Sequence, residues 1–223
     1  MKRLLIPGLF ALGISMTANA GVLNILNPGF DIDVLPDGSF NCNGTIGFSN
    51  WMSPGGGCGT GLLNPNITQT VGGLAPSGNN VVYENGPNGY YQVLSDTYQV
   101  GMTYNFGLMI GSRLDAPPDR GYTLEFRWDT GSGFGAPVAS ITGIGTAGAG
   151  LFAPSTTLSY TVGAGDAAIG KNVIVMFKGG TLPGIQTLFD SAVGTTTTPE
   201  PGTLALVAVS GGLLALGRRK RAV

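Results

Sequence analysis

A jelly roll or β-sandwich of the all-β class is what the sequence predicts, on three observations. Short apolar runs alternate with a two-residue period, turn signals separate them, and no stretch of the middle carries a convincing helical period. The clearest run is Tyr122 to Asp129. Tyr122, Leu124, Phe126 and Trp128 share one face, while Thr123, Glu125, Arg127 and Asp129 share the other, as in a strand with one side toward a core. Similar short runs predict strands, in chain order, at Val22 to Leu26, Asn66 to Val71, Val81 to Glu84, Tyr90 to Leu94, Thr103 to Ile110, Thr157 to Val162 and Val173 to Phe177. Pro36-Asp37-Gly38, Asn43-Gly44, Asn85-Gly86 and Asn88-Gly89 supply turn chemistry between them.

The chain has 223 residues, of which 39 are glycine and 14 proline, so turns should be numerous. Apolar residues are plentiful and patterned, which argues for a packed domain rather than disorder. Six of the eleven cations, Lys2, Arg3 and Arg218-Arg219-Lys220-Arg221, sit at the two ends. The middle keeps Arg113, Arg120, Arg127, Lys171 and Lys178 against eleven carboxylates, a net charge of −6, or −7 with Glu200 counted. Nucleic acid is therefore excluded as a partner, since phosphate binding needs a basic face.

Each end reads as an address. Lys2 and Arg3 precede the apolar stretch Leu4 to Met16, and Thr17-Ala18-Asn19-Ala20 places small residues at Ala18 and Ala20, so a signal helix over 1–20 should be removed before Gly21 by signal peptidase after passage through the Sec translocon. Near the other end, Thr195 to Thr198 lead into Pro199-Glu200-Pro201, an uncharged run over 203–217 and the basic end 218–223. That order reads as a linker over 194–202, a single short transmembrane helix and a cytoplasmic tail. The tail resembles the PEP-CTERM sorting signal of Gram-negative bacteria, carried here by Pro199, Glu200 and Pro201 with Arg218, Arg219, Lys220 and Arg221. The resemblance implies handling by an exosortase and a destination at the cell envelope, outer surface or exopolysaccharide matrix.

Between the ends lies one domain, 21–193, long enough for a single substantial core. Cys42 and Cys58 are its only cysteines, and in an exported, glycine-flanked loop they are expected to form a disulfide. The chain contains no histidine, which removes Ser-His-Asp and Cys-His mechanisms and the usual zinc sites. Paired-carboxylate chemistry survives as an alternative, with Glu84, Glu125 and several aspartates available. Glu125 lies on a polar strand face, where a solvated carboxylate is the expected occupant.

A second resemblance is to the galactose-binding-like jelly rolls. Asn27-Pro28-Gly29-Phe30-Asp31 is similar to their opening motif and Asn50-Trp51 to their following tryptophan. Tyr91-Gln92-Val93-Leu94 with Gly101-Met102-Thr103-Tyr104 is similar to a central strand pair, and Phe189-Asp190 to the start of their closing strand. Ser191-Ala192 and Asp31 depart from the pattern. The resemblance implies a structural calcium held by oxygens of the opening and closing strands, which singles out Asp31 and Asp190. Turn chemistry is the competing reading of the acidic segment Asp31, Asp33 and Asp37.

Trp51, Tyr90 and Tyr91 are candidates for stacking on sugar rings of an envelope polysaccharide. Trp128 is assigned to the core, and Tyr90 and Tyr91 point to opposite faces. Together these readings predict a non-catalytic, sorted envelope or matrix protein with a carbohydrate-binding sandwich. The alternatives are an exported glycan hydrolase and a purely structural surface protein.

Overall fold

The computed structural model describes residues 20–42, 46–55, 57–115, 121–180 and 186–198. The expected signal helix with Ala18, the Pro199-Glu200-Pro201 motif, the apolar run 203–217 and the basic end with Arg218, Arg219, Lys220 and Arg221 lie outside these residues. Among the described residues no helix is long and apolar enough to cross a membrane.

Two antiparallel sheets make a sandwich. Its strands are β1 (Ala20–Val22), β2 (Phe40–Cys42), β3 (Thr60–Leu63), β4 (Val81–Glu84), β5 (Tyr90–Thr97), β6 (Thr103–Ser112), β7 (Gly121–Trp128), β8 (Ala139–Ile144), β9 (Phe152–Pro154), β10 (Leu158–Thr161), β11 (Asn172–Gly179) and β12 (Thr187–Thr197). The larger sheet runs β10-β6-β12-β4-β3-β2, with β1 paired to β12 and β9 to β6. The smaller runs β5-β11-β7-β8.

The period-two pattern explains the packing. Tyr104, Phe106, Leu108 and Ile110 of β6 face Tyr122, Leu124 and Phe126 of β7 across one core, while the intervening residues point away. At one end of that core four aromatic rings gather around Phe177, with centroids 5.9 Å to Phe30, 5.3 Å to Trp51, 6.1 Å to Tyr90 and 4.8 Å to Phe189. Phe48 completes the group, 4.6 Å from Tyr90. Trp51 also donates from Nε1 to the Asn27 carbonyl at 3.1 Å. Trp51 and Tyr90 are therefore core residues with no free ring face, which corrects their assignment as sugar platforms. Tyr91 does point the other way, and its ring packs on Phe134 at 5.0 Å.

Three expectations fail locally. Of Val22 to Leu26 only Val22 is in a strand, as the last residue of β1. Asn66 to Val71 is no strand: Asn66 organises a turn, accepting from the Thr68 N–H at 2.9 Å and followed by a short 3-10 turn at Val71–Gly73. Thr195 to Thr197, expected in the linker, continue β12 and pair with β1, Thr197 opposite Ala20 and Thr195 opposite Val22. Consecutive threonines suit a strand, and their β-branched side chains sit on its pleated surface without strain.

Candidate functional site

Four polar side chains form a row across the larger sheet, all facing inward. Thr60 of β3 lies opposite Glu84 of β4, Glu84 opposite Thr187 of β12, and Thr187 opposite Ser112 of β6. All four are fully buried. One step deeper on the same strands comes an apolar row, Leu62, Val82, Phe189 and Ile110, so the polar row caps one end of the core.

The smaller sheet closes over this row. Thr187 Oγ1 donates to the Gly121 carbonyl at 2.9 Å. Gly179 of β11 leaves room for Glu84, because a methyl group there would come within 2.6 Å of Glu84 Cβ and 2.8 Å of the Gly86 carbonyl oxygen. The Tyr90 hydroxyl comes within reach of Thr60 without forming a well-aligned hydrogen bond.

Glu84 is the chemically unusual member. Thr60 Oγ1 donates to its Oε1, and the Gly89 backbone N–H also assists, while Oε2 has no partner among the described residues. Burial overrides those two donors and pushes its pKa up to about 8. A carboxylic acid that keeps its proton at neutral pH, with one oxygen uncommitted, is equipped to act as a general acid. Ser112 Oγ is likewise without a partner among the described residues.

The sequence names Glu84 among available carboxylates but does not single it out. The signal is its parity with Val82 in Val81-Val82-Tyr83-Glu84, which puts a carboxylate on the core side. Thr60, Ser112 and Thr187 carry no signal of their own. Glu125, expected to be solvated, is buried and clamped, accepting from Arg127 at 2.5 Å and Lys178 at 2.8 Å. Burial would raise its pKa, but the two cations more than reverse this and hold it below the usual carboxylate range.

Asp31 and Asp190 do come together. Asp31 Oδ1 accepts from the N–H groups of Asn79 and Asn80 at 2.7 and 2.9 Å, and Asp190 Oδ2 from that of Ser77 at 2.7 Å. Asp190 is fully buried, and burial, then the charge of Asp31, raise its pKa to about 8. Phe30 and Ser191, neighbours of the pair, adopt left-handed backbone with φ of 61° and 50°. Among the described residues no cluster of three or more metal-ligating side chains occurs. Asp33 is committed elsewhere, accepting from Ser49 N and Oγ at 2.8 and 2.9 Å.

Cys42 and Cys58 are free thiols, not the expected disulfide. The loop does bring them into contact, and a hydrogen bond with Cys42 raises the pKa of the Cys58 thiol.

The family model described as HpiC1-like, HpiC1 cyclase, matches residues 21–193, the sandwich from Gly21 in β1 to Val193 in β12. The chain belongs to the HpiC1-like cyclase family. No curated protein matches it. Among solved structures, a Stig cyclase, Fisc, from Fischerella sp. TAU, in complex with (3Z)-3-(1-methyl-2-pyrrolidinylidene)-3H-indole, is 16% identical with a TM-score of 0.65, covering 82% of this chain and 100% of that one. A cyclase from Fischerella sp. TAU in complex with 4-(1H-indol-3-yl)butan-2-one is 18% identical with a TM-score of 0.62, covering 80% and 98%. At such identity these structures support the fold alone.

Membership in a cyclase family overturns the expectation of a non-catalytic sorted envelope or matrix protein, and with it the glycan-hydrolase and purely structural alternatives. The reasoning from missing histidine excluded only histidine-dependent chemistry.

Proposed function

We propose that this HpiC1-like protein is a cyclase that closes a ring on an indole-bearing, largely apolar substrate, with Glu84 as the proton donor. Glu84, protonated at neutral pH with Oε2 uncommitted, carries the proposal, and because its side chain is fully buried the substrate must enter where the two sheets part over the polar row. The family match and the indole ligands bound by related cyclases support the substrate class.

In this reading Glu84 transfers its proton to an unsaturated centre of the substrate, leaving a carboxylate. The electron-rich ring attacks the resulting cation, and the proton lost on re-aromatisation returns to the carboxylate. Substrate and product are isomers, so no cosubstrate is consumed. Thr60 holds the other carboxyl oxygen, and the apolar row beneath keeps water from capturing the cation. Incubation with an indole carrying an unsaturated side chain, followed by liquid chromatography and mass spectrometry, tests this. A new peak of unchanged mass is expected, and a hydrated product or none counts against it.

A calcium ion between Asp31 and Asp190 is part of the proposal. Two carboxylates share this place, none of the ion pairs among the described residues involves them, and Asp190 has no route to solvent. Calcium favours oxygen ligands, and backbone carbonyls would complete the set. The role is structural, joining the opening segment to β12 in a jelly roll of the galactose-binding type.

Export to the cell envelope or beyond, through the Sec translocon and signal peptidase, is proposed from the sequence of the first twenty residues. Intact mass of protein recovered from envelope and medium tests it, with a chain beginning at Gly21 expected and one retaining Met1 throughout opposed. The same masses examine the tail, whose resemblance to a sorting signal requires a C-terminus short of Val223.

A further inference from the structure

Asn85-Gly86-Pro87-Asn88-Gly89 carries the chain from β4 of the larger sheet to β5 of the smaller, directly after Glu84 and over the polar row. Two turn signals in so short a span leave no room for a ladder, and Gly86, Pro87 and Asn88 form no hydrogen bond among the described residues. The crossing is therefore held at its ends. The Gly89 end is fixed. Its backbone is left-handed, with φ of 79°, and lies so close to β11 that a methyl group there would come within 2.0 Å of the Phe177 carbonyl oxygen. Its N–H is the one that assists Glu84.

The Asn85 end is latched. Its N–H donates to the Gly59 carbonyl at 2.8 Å, and its Oδ1 accepts from Gln186 Nε2 at 3.0 Å. Gln186 Oε1 accepts from Arg113 Nη1 at 3.2 Å, so the latch reaches across to the residue that follows β6. Between the two ends the Gly86 carbonyl oxygen packs on Gly179, close enough to meet an added methyl group there at 2.8 Å. The same methyl group would meet Glu84 Cβ, so the crossing closes over the acid itself. Gly86 is different from Gly89. A methyl group on it meets nothing within 4 Å among the described residues, and its φ lies outside the left-handed region. The closed form does not require glycine at this position, and what glycine supplies is backbone freedom.

We propose that Asn85 to Gly89 is a lid over Glu84, with Gly86 as its hinge and the hydrogen bond between Asn85 and Gln186 as its latch. Its purpose rests on Glu84 as the proton donor, whereas its motion does not. Releasing the latch gives up one hydrogen bond and swings Gly86 to Asn88 off Gly179, which opens Glu84 Oε2 to a substrate. The fixed Gly89 end keeps its N–H on the carboxyl throughout. Closure then shuts water out of the polar row.

Capture of Glu84 by a water-soluble carbodiimide with glycine ethyl ester reads the open fraction, because the reagent reaches a fully buried carboxyl only when the lid is off. Full-length protein is treated at about pH 6.5, and early amidation of Glu84 is followed by peptide mass against that of the exposed Asp37. Asn85→Ala is expected to label at Glu84 about fivefold faster than wild type, the effect of one lost hydrogen bond, and Gly86→Ala about threefold slower. Gly86→Ala should melt no lower than wild type, since its methyl group fits the closed form, and it decides the matter alone where Asn85→Ala melts early. A Gly86→Ala protein that labels at the wild-type rate or melts below wild type overturns the proposal. So does an Asn85→Ala protein of wild-type melting temperature that labels no faster. Cyclisation is not read, so these outcomes hold whether or not an indole substrate turns over.

Discussion

Gly179 and Glu84 face each other across the two sheets so closely that a single methyl group on Gly179 would lie 2.6 Å from Glu84 Cβ. The Gly179→Ala variant must push the Glu84 backbone or the β11 end aside, because the Gly86 carbonyl blocks the alternative direction. Overpacking of this kind costs about 1–3 kcal/mol. Urea denaturation should show that loss, together with slower turnover. A variant of wild-type stability would mean that the sheets separate here at no cost.

Acid should stabilise this protein more than base. Glu84 and Asp190 both have folded pKa values near 8, far above the ordinary carboxylate range of the unfolded chain. Between roughly pH 4.5 and 8 the unfolded chain releases these protons while the folded chain keeps them, so stability falls as pH rises through that window and levels off above it. In calcium-free buffer the melting temperature should drop from pH 5 to pH 8.5. Glu84→Gln should flatten part of the slope, and a melting temperature that rises with pH would contradict the assignment.

Calcium should reverse the Asp190 share of that slope. Adding the ion at pH 7.5 is expected to raise the melting temperature, by about 3 kcal/mol of stabilisation at a hundredfold excess over its dissociation constant. Asp190→Asn should remove most of the gain. An unchanged melting temperature on adding calcium or chelator would dismiss the site.

The aromatic cluster sets the stability of the sandwich. Phe177 is fully buried with four aromatic neighbours, and Phe177→Ala should cost about 3–5 kcal/mol. Equilibrium denaturation reads it, and a loss below about 1 kcal/mol would show that the site collapses.

Alternation made much of the fold legible: Val81–Glu84 is found at its expected bounds, and the strands around Tyr122, Thr103 and Val173 differ only at their ends. Strands β2, β3, β8 and β9 escaped because β2 and β9 have only three residues and a glycine interrupts the pattern in Thr60-Gly61-Leu62-Leu63 and in Ala139–Ile144. The Thr195 to Thr197 stretch looked like a linker because its role depends on pairing with Ala20–Val22, far away in sequence. The inner row was invisible for the same reason. Thr60, Ser112 and Thr187 are ordinary residues until register sets them beside Glu84, and it is the resulting burial that makes Glu84 an acid. Asp31 and Asp190 were readable only through resemblance to a jelly roll, whereas Trp51 and Tyr90 were misread because their rings both pack on Phe177 in the core rather than facing solvent.

The most direct measurement is cyclisation of an indole-bearing unsaturated substrate by wild type and Glu84→Gln between pH 6 and pH 9. The account predicts an isomeric product from wild type, a rate that declines as pH rises past about 8, and at least a ~100-fold loss in Glu84→Gln, with a melting temperature no lower than that of wild type across this range. A Glu84→Gln protein that cyclises at the wild-type rate, with the same pH profile, would contradict it.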